Sequence, residues 1–234
     1  MQRKVICALD TSDLKEALTA AARLRDHIGG FKIGHSLTLA HGIEVVEQFY
    51  DLGIERIFLD LKFHDIPNTV ALAVREAAKH NIWMMTLHIA GGPAMISAAV
   101  EEARFYPEEK RPMLVGVSVL TSLDQNILTN FLGVDRSIED QMVWLSRLGV
   151  DTGLDGVVCS PHEVKAVRRT LGHNGVIVVP GIRAEGAQTH DQKRVGSASS
   201  AIADGADYLV MGRTLMDAKD PVSVLSAYGL TAGV

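Results

Sequence analysis

Eight short runs of β-branched and apolar residues punctuate the chain, at 4–10, 31–36, 56–62, 82–89, 113–120, 155–160, 176–182 and 207–212. Between them lie amphipathic stretches such as DLKEALTAAARLRDHI and TVALAVREAAKH. Their apolar positions recur three and four apart, the period of one helix face. Strands that alternate with helices pair in parallel, because parallel neighbours need a long crossover between them. Eight such units are what a (β/α)8 barrel requires. An open doubly wound sheet is the alternative, but no G-x-G-x-x-G follows the first run. At 234 residues, 47% hydrophobic, and with no Pro/Ser-rich or charged linker, the chain reads as one α/β domain over 1–234. The expected architecture is a single (β/α)8 TIM barrel.

Bulk properties exclude several functions. A net charge of −5 argues against a general nucleic-acid or anionic-membrane binder, although a local arginine pocket can still hold a small anion. Cys7 and Cys159 sit inside apolar runs, which suits buried free thiols better than a disulfide framework. The start, MQRKVICALD, lacks the apolar core of a signal peptide. The longest apolar stretch, IWMMTLHIAGGPAMISAAV, contains His88 and a Gly-Gly-Pro break, so it reads as strand, loop and helix, not a membrane span. A soluble cytoplasmic protein is expected. His35, His64, His88 and His162 show no dense ligand spacing, so no metal is assigned.

Barrel chemistry sits where strands end. In order, those ends are Asp10, Lys32, Asp60 with Lys62, His88, Thr121, Ser160, Arg183, and Gly212 with Arg213. In RIFLDLK, strand alternation turns Ile57, Leu59 and Leu61 toward the helices and Phe58, Asp60 and Lys62 into the barrel. Asp65 follows after a short turn, and Pro67 suits the first turn of the next helix. A structural reading makes Asp60 and Lys62 an ion pair and Asp65 a helix cap. Against it, two carboxylates beside one lysine leave surplus negative charge, and strain of that kind more often marks function. A lysine between carboxylates stays an ammonium. That makes Lys62 a poor Schiff-base nucleophile and a well-placed proton donor. The surplus aspartate would repel a bound anionic group, which helps only if that charge leaves in the transition state. Loss of carbon dioxide, then protonation of the carbanion, meets both conditions.

The runs VVPGIRAEG (178–186) and DYLVMGRTL (207–215) end strands seven and eight, where barrels commonly bind phosphate. Gly212 lets the backbone approach an anion, and Arg213 and Arg183 offer bidentate donors, unless both are solvated loop residues. The segment 183–197, which includes Gln192, is long for a βα loop and could close as a lid. Thr121 could hydrogen-bond a polar ring or serve only the turn. Cys159 reads as a structural thiol, not a nucleophile.

LDLKFHDIPNT (59–69) resembles the signature of orotidine 5'-monophosphate decarboxylases. ALD (8–10), FKIG (31–34), VLTS (119–122), PGIR (180–183) and VMGR (210–213) follow in the family's order, so the resemblance spans nearly the whole chain. The Asp-x-Lys-x-x-Asp core alone is shared with sugar-phosphate decarboxylases of the same superfamily; FHDIPNT and PGIR…DQ…MGR make the match specific. The resemblance implies a homodimeric barrel that converts orotidine 5'-phosphate to UMP and carbon dioxide, the last step of de novo pyrimidine synthesis, with no metal or organic cofactor. On matching positions it makes Lys62 the proton donor to C6 of the pyrimidine. Asp60 and Asp65 complete the charged network, with Asp65 and Thr69 contributed across the dimer interface. Asp10 and Lys32 hold the ribose and extend that network, Thr121 contacts the pyrimidine, and Arg183, Gln192, Gly212 and Arg213 surround the phosphate. The one local departure is GHSLTLAHG (34–42), which touches none of these positions. The nearest rival is a metal-dependent sugar-phosphate decarboxylase or aldolase of the same superfamily. A Schiff-base aldolase or a non-catalytic nucleotide-binding barrel is further off.

Overall fold

The computed structural model describes residues 4–182 and 196–230. Eight parallel strands close into a barrel in sequence order, and β8 pairs back onto β1. They are β1 (Val5–Ala8), β2 (Gly30–Gly34), β3 (Ile57–Phe63), β4 (Met84–His88), β5 (Met113–Val117), β6 (Gly156–Val158), β7 (Val176–Val179) and β8 (Tyr208–Met211). Around them run α1 (Leu14–Leu24), α2 (His35–His41), α3 (Val45–Asp51), α4 (Pro67–Lys79) and α5 (Gly92–Arg104). The shell continues with α6 (Ile138–Asp151), α7 (Val164–Leu171), α8 (Ala198–Ala203), α9 (Arg213–Met216) and α10 (Pro221–Ala227). The closed barrel settles the choice against an open doubly wound sheet.

Period-two alternation organises the core. Ile6, Phe58, Met84, Val115, Val178 and Tyr208 point inward and pack as one cluster. Their neighbours Cys7, Ile33, Ile57, Leu87, Val157 and Leu209 point outward and pack under the helices. Each large side chain buried this way contributes about 1.5–3 kcal/mol. Below the cluster Trp83 meets Tyr208 edge to face, with ring centroids 5.2 Å apart, and the Arg56 guanidinium covers Trp83 at 5.2 Å. This end of the barrel is therefore plugged, and only the opposite end is left for a ligand. Gly156 has to be glycine, because a Cβ there would collide with the Val176 carbonyl oxygen across the β6–β7 ladder.

Every expected strand forms, but the ladders stop short of the apolar runs. The run 31–36 ends at Gly34, the N-cap residue from which His35 opens α2. The run 113–120 ends at Val117, and residues 118–120 leave the sheet toward the mouth of the barrel. Helix boundaries follow local chemistry. Asp13 caps α1 by accepting the Glu16 N–H, and Pro67 opens α4, where a missing N–H costs nothing. Cys7 and Cys159 are both buried and free, and burial pushes the Cys7 thiol up to about 12. Among the described residues no helix is long and apolar enough to cross a membrane.

Candidate active site

The charged strand reaches the barrel mouth through a distortion. Phe58 pairs with Met84 and Leu59 with Met85, but Phe63 pairs with Leu87. Five residues of β3 (59 to 63) thus lie opposite three of β4 (85 to 87), and the surplus is a bulge. Lys62 sits in it with φ of +50°, a left-handed conformation that costs a side-chain-bearing residue about 1–2 kcal/mol. Simple alternation correctly turns Phe58 and Asp60 inward. Lys62 arrives in the cleft too, but by a re-aimed backbone and not by regular pleating. Its N–H, withdrawn from the ladder, donates to the Thr86 hydroxyl at 2.9 Å.

Asp60 is the hub. Lys62 Nζ donates to Oδ1 at 2.9 Å and to Oδ2 at 3.0 Å. The Thr86 hydroxyl donates to Oδ1 at 2.9 Å, and Lys32 Nζ lies 3.4 Å from Oδ2. Lys32 also donates to Asp10 Oδ1 at 2.9 Å. Burial alone would raise the Asp60 pKa; the charges of Lys32 and Lys62 and hydrogen bonds from Lys62 and Thr86 outweigh it and hold the carboxyl below its usual range. Burial likewise disfavours the Lys32 ammonium, but Asp60 and Asp10 outweigh it and hold its pKa above the ordinary lysine value. Both groups stay charged across the neutral range.

These residues line a cleft of about 820 Å³ at the C-terminal ends of the strands, together with Thr121, Gly212 and Arg213. Arg213 is exposed at the start of α9, immediately after β8, and Gly212 is its N-cap residue. A Cβ on Gly212 would touch Asp10 Oδ2 at 3.5 Å, so the end expected to bind an anion adjoins the charged network. Arg183 and Gln192, and nearly all of the segment 183–197, lie outside the described residues.

Two expected site residues are not in this cleft. Asp65 and Thr69 are exposed, and Asp65 Oδ1 accepts the N–H of its neighbour Ile66 at 2.6 Å. Within one chain Asp10, Lys32, Asp60 and Lys62 therefore form a balanced set of two carboxylates and two ammonium groups. The surplus negative charge anticipated from Asp60 and Asp65 flanking Lys62 is not assembled by a single chain. Alternation along a strand cannot report where a side chain beyond the strand's end will point.

Other strand ends also resolve. Ser160 is fully buried and bonds the Glu163 carboxylate, which makes it local structure. His88 ends β4 but faces His64, with ring centroids 5.3 Å apart. Burial, then the charges of His64 and Lys62, lower the His88 pKa, with Asp60 opposing. The residue that β4 presents to the cleft is Thr86, 1% exposed. Its signal was a lone hydroxyl inside the apolar run 82–89, at an inward register two residues before His88. His35 and Ser36 also line the cleft; both belong to GHSLTLAHG, where β2 gives way to α2.

Residues 3–228 match the family model for the orotidine 5'-phosphate decarboxylase / HUMPS family. An orotidine 5'-phosphate decarboxylase of Dichelobacter nodosus is 45% identical over 223 residues, covering 95% of this chain and 96% of that protein. One of Pseudoalteromonas translucida is 42% identical over 224 residues, covering 96% and 94%. The crystal structure of an orotidine 5'-phosphate decarboxylase from Lactobacillus acidophilus superposes with a TM-score of 0.83 at 32% identity, covering 97% of each chain.

Proposed function

The chain belongs to the orotidine 5'-phosphate decarboxylase / HUMPS family, and from that premise we propose that it decarboxylates orotidine 5'-phosphate with Lys62 as the proton donor. The C–C bond from C6 to the carboxylate breaks, carbon dioxide leaves, and the electron pair stays on C6. A proton from the Lys62 ammonium then bonds C6 to give UMP, and the lysine regains a proton from water. The observation that carries this reading is the Lys62 ammonium, held by both oxygens of Asp60 at 2.9 and 3.0 Å inside the cleft. A cation already fixed in place stabilises a developing carbanion without having to reorganise.

The other roles follow the cleft. Asp10 and Lys32 hold the ribose, and Thr121 contacts the pyrimidine. Gly212 and Arg213, joined by Arg183 and Gln192, surround the phosphate. Binding energy at that remote end positions the reacting carboxylate against Asp60. The whole of 1–234 acts as one catalytic domain, in the cytoplasm, on a small substrate and not on nucleic acid.

Asp65 and Thr69 serve the cleft of a second copy in a homodimer. Supporting this, both are exposed, and the apolar residue Ile66 beside them is 68% exposed. Delivered across an interface, Asp65 would add the negative charge that opposes the substrate carboxylate before it leaves.

The test follows the loss of orotidine 5'-phosphate absorbance with purified protein in EDTA. Rapid conversion to UMP is expected, with no metal or organic cofactor added. A folded dimer that leaves the substrate untouched would overturn the reading in favour of a metal-dependent sugar-phosphate relative. Turnover abolished by EDTA and restored by a divalent cation would overturn cofactor independence.

A further inference from the structure

Lys62 is one of only two non-glycine residues with positive φ among those described. Its amide has left the β3–β4 ladder at the bulge, yet it is satisfied, because Thr86 Oγ1 accepts it at 2.9 Å. The direction of the next bond follows from chemistry. An amide N–H can only donate, so the hydroxyl keeps its own proton to give. Asp60, held ionised between two lysines, can only accept, and its Oδ1 lies 2.9 Å from Thr86 Oγ1. One fully buried hydroxyl therefore joins the backbone of Lys62 to the carboxylate that grips the Lys62 side chain. It closes a ring: Lys62 N–H to Thr86, Thr86 to Asp60, and Asp60 back to Lys62 Nζ.

We infer that Thr86 is a positioning residue for the proton donor: its hydroxyl locks the left-handed backbone of Lys62 and the Asp60 carboxylate in one arrangement, fixing where the ammonium points. The role rests on the decarboxylase reading, in which that direction matters. A lysine carries four side-chain torsions, and a backbone free to relax out of a strained conformation would swing Nζ away from the reacting carbon. Small misplacements of a catalytic group are costly in rate. Thr86 adds nothing to the phosphate end of the cleft, so its effect belongs to kcat and not to capture.

The test compares Thr86→Val with Thr86→Ser. Valine keeps the shape and the β-branch, so β4 retains its packing, but it can neither accept from Lys62 nor donate to Asp60. Serine keeps the hydroxyl and loses only a methyl group. Each kcat is divided by the number of competent sites, counted calorimetrically with UMP, so a misfolded fraction does not enter. For Thr86→Val, kcat should fall by roughly 10- to 100-fold, the range of an unmade hydrogen bond to a charged group. KM should stay within about threefold, and Thr86→Ser should recover most of the lost rate. A Thr86→Val kcat within about threefold of wild type overturns the proposal, as does a Thr86→Ser variant no better than Thr86→Val. Wild-type protein that leaves orotidine 5'-phosphate unconverted overturns instead the decarboxylase reading beneath it.

Discussion

Replacing Lys62 by alanine separates chemistry from stability. Lys62 Nζ bonds both oxygens of Asp60, while 32% of its side chain is exposed. Breaking a fully buried pair costs about 3–5 kcal/mol, and losing an exposed one about 0.2–1 kcal/mol. Lys62 lies between these limits, and Lys32 stays 3.4 Å from Asp60, so no buried carboxylate is orphaned. The loss of stability should be about 1–2 kcal/mol. For a chain of this size that lowers Tm by roughly 2–8 °C. Removing a positioned proton donor costs about 10²–10⁴ in rate, or about 3–5 kcal/mol at 1.36 kcal/mol per decade. The catalytic loss should therefore exceed the structural one. Absorbance loss of orotidine 5'-phosphate gives kcat, thermal unfolding gives Tm, and calorimetry with UMP shows whether the cleft still binds. A kcat within about threefold of wild type would remove Lys62 from proton transfer. A fall in Tm beyond about 10 °C, together with loss of UMP binding, would make the lysine structural.

Arg213→Ala should raise KM at least tenfold with a smaller change in kcat, since its proposed role is capture; the opposite split would place Arg213 in the chemical step. Mixing inactive Lys62→Ala and Asp65→Ala chains should restore about a quarter of wild-type activity, because half the dimers are mixed and each has one intact site. No recovery after subunit exchange would show that Asp65 serves its own cleft. Asp60 and Lys32 should give no pH response between about 5 and 9. The stability from lowering the Asp60 pKa is complete above about pH 4 and is lost as pH falls through its still lower folded value. That from Lys32 is complete below about pH 10 and is lost as pH rises through its raised folded value. His88 does respond: its lowered pKa means that stability falls as pH drops below about 6.5. His64, Lys62 and Asp60 face it, and His88→Asn should flatten the Tm profile there. An unchanged acid slope would rule His88 out as its source.

Much of the site was legible because barrel chemistry collects at strand ends. Asp10, Asp60, Lys62, Thr121, Gly212 and Arg213 come from the ends of apolar runs or the residues just past them, whereas Lys32 comes from the middle of β2, and all line one cleft. What alternation could not provide was direction at the irregular points. The bulge in β3 decides how Lys62 enters, and no pattern of apolar residues announces a left-handed lysine. His88 was the conspicuous polar residue of its run, yet Thr86, one inward register earlier, reaches Asp60. Apolar patterning reports which residues leave water, whereas a hydrogen bond depends on the separation of two atoms from different strands.

The sequence by itself determined the eight strand–helix units, the parallel sheet and the end at which charged residues gather. Those follow from periodicity and from residue types along one chain, which local physics can read. Only the tertiary structure decided that Asp60 sits between two lysines and not beside one, that Thr86 ties Lys62 to Asp60, and that Asp65 points out of its own cleft. Each depends on distances between residues roughly 20 to 30 positions apart in sequence, or on the turn a chain takes once its strand has ended. Closing the barrel sets those distances, and the spacing of residues along the chain does not.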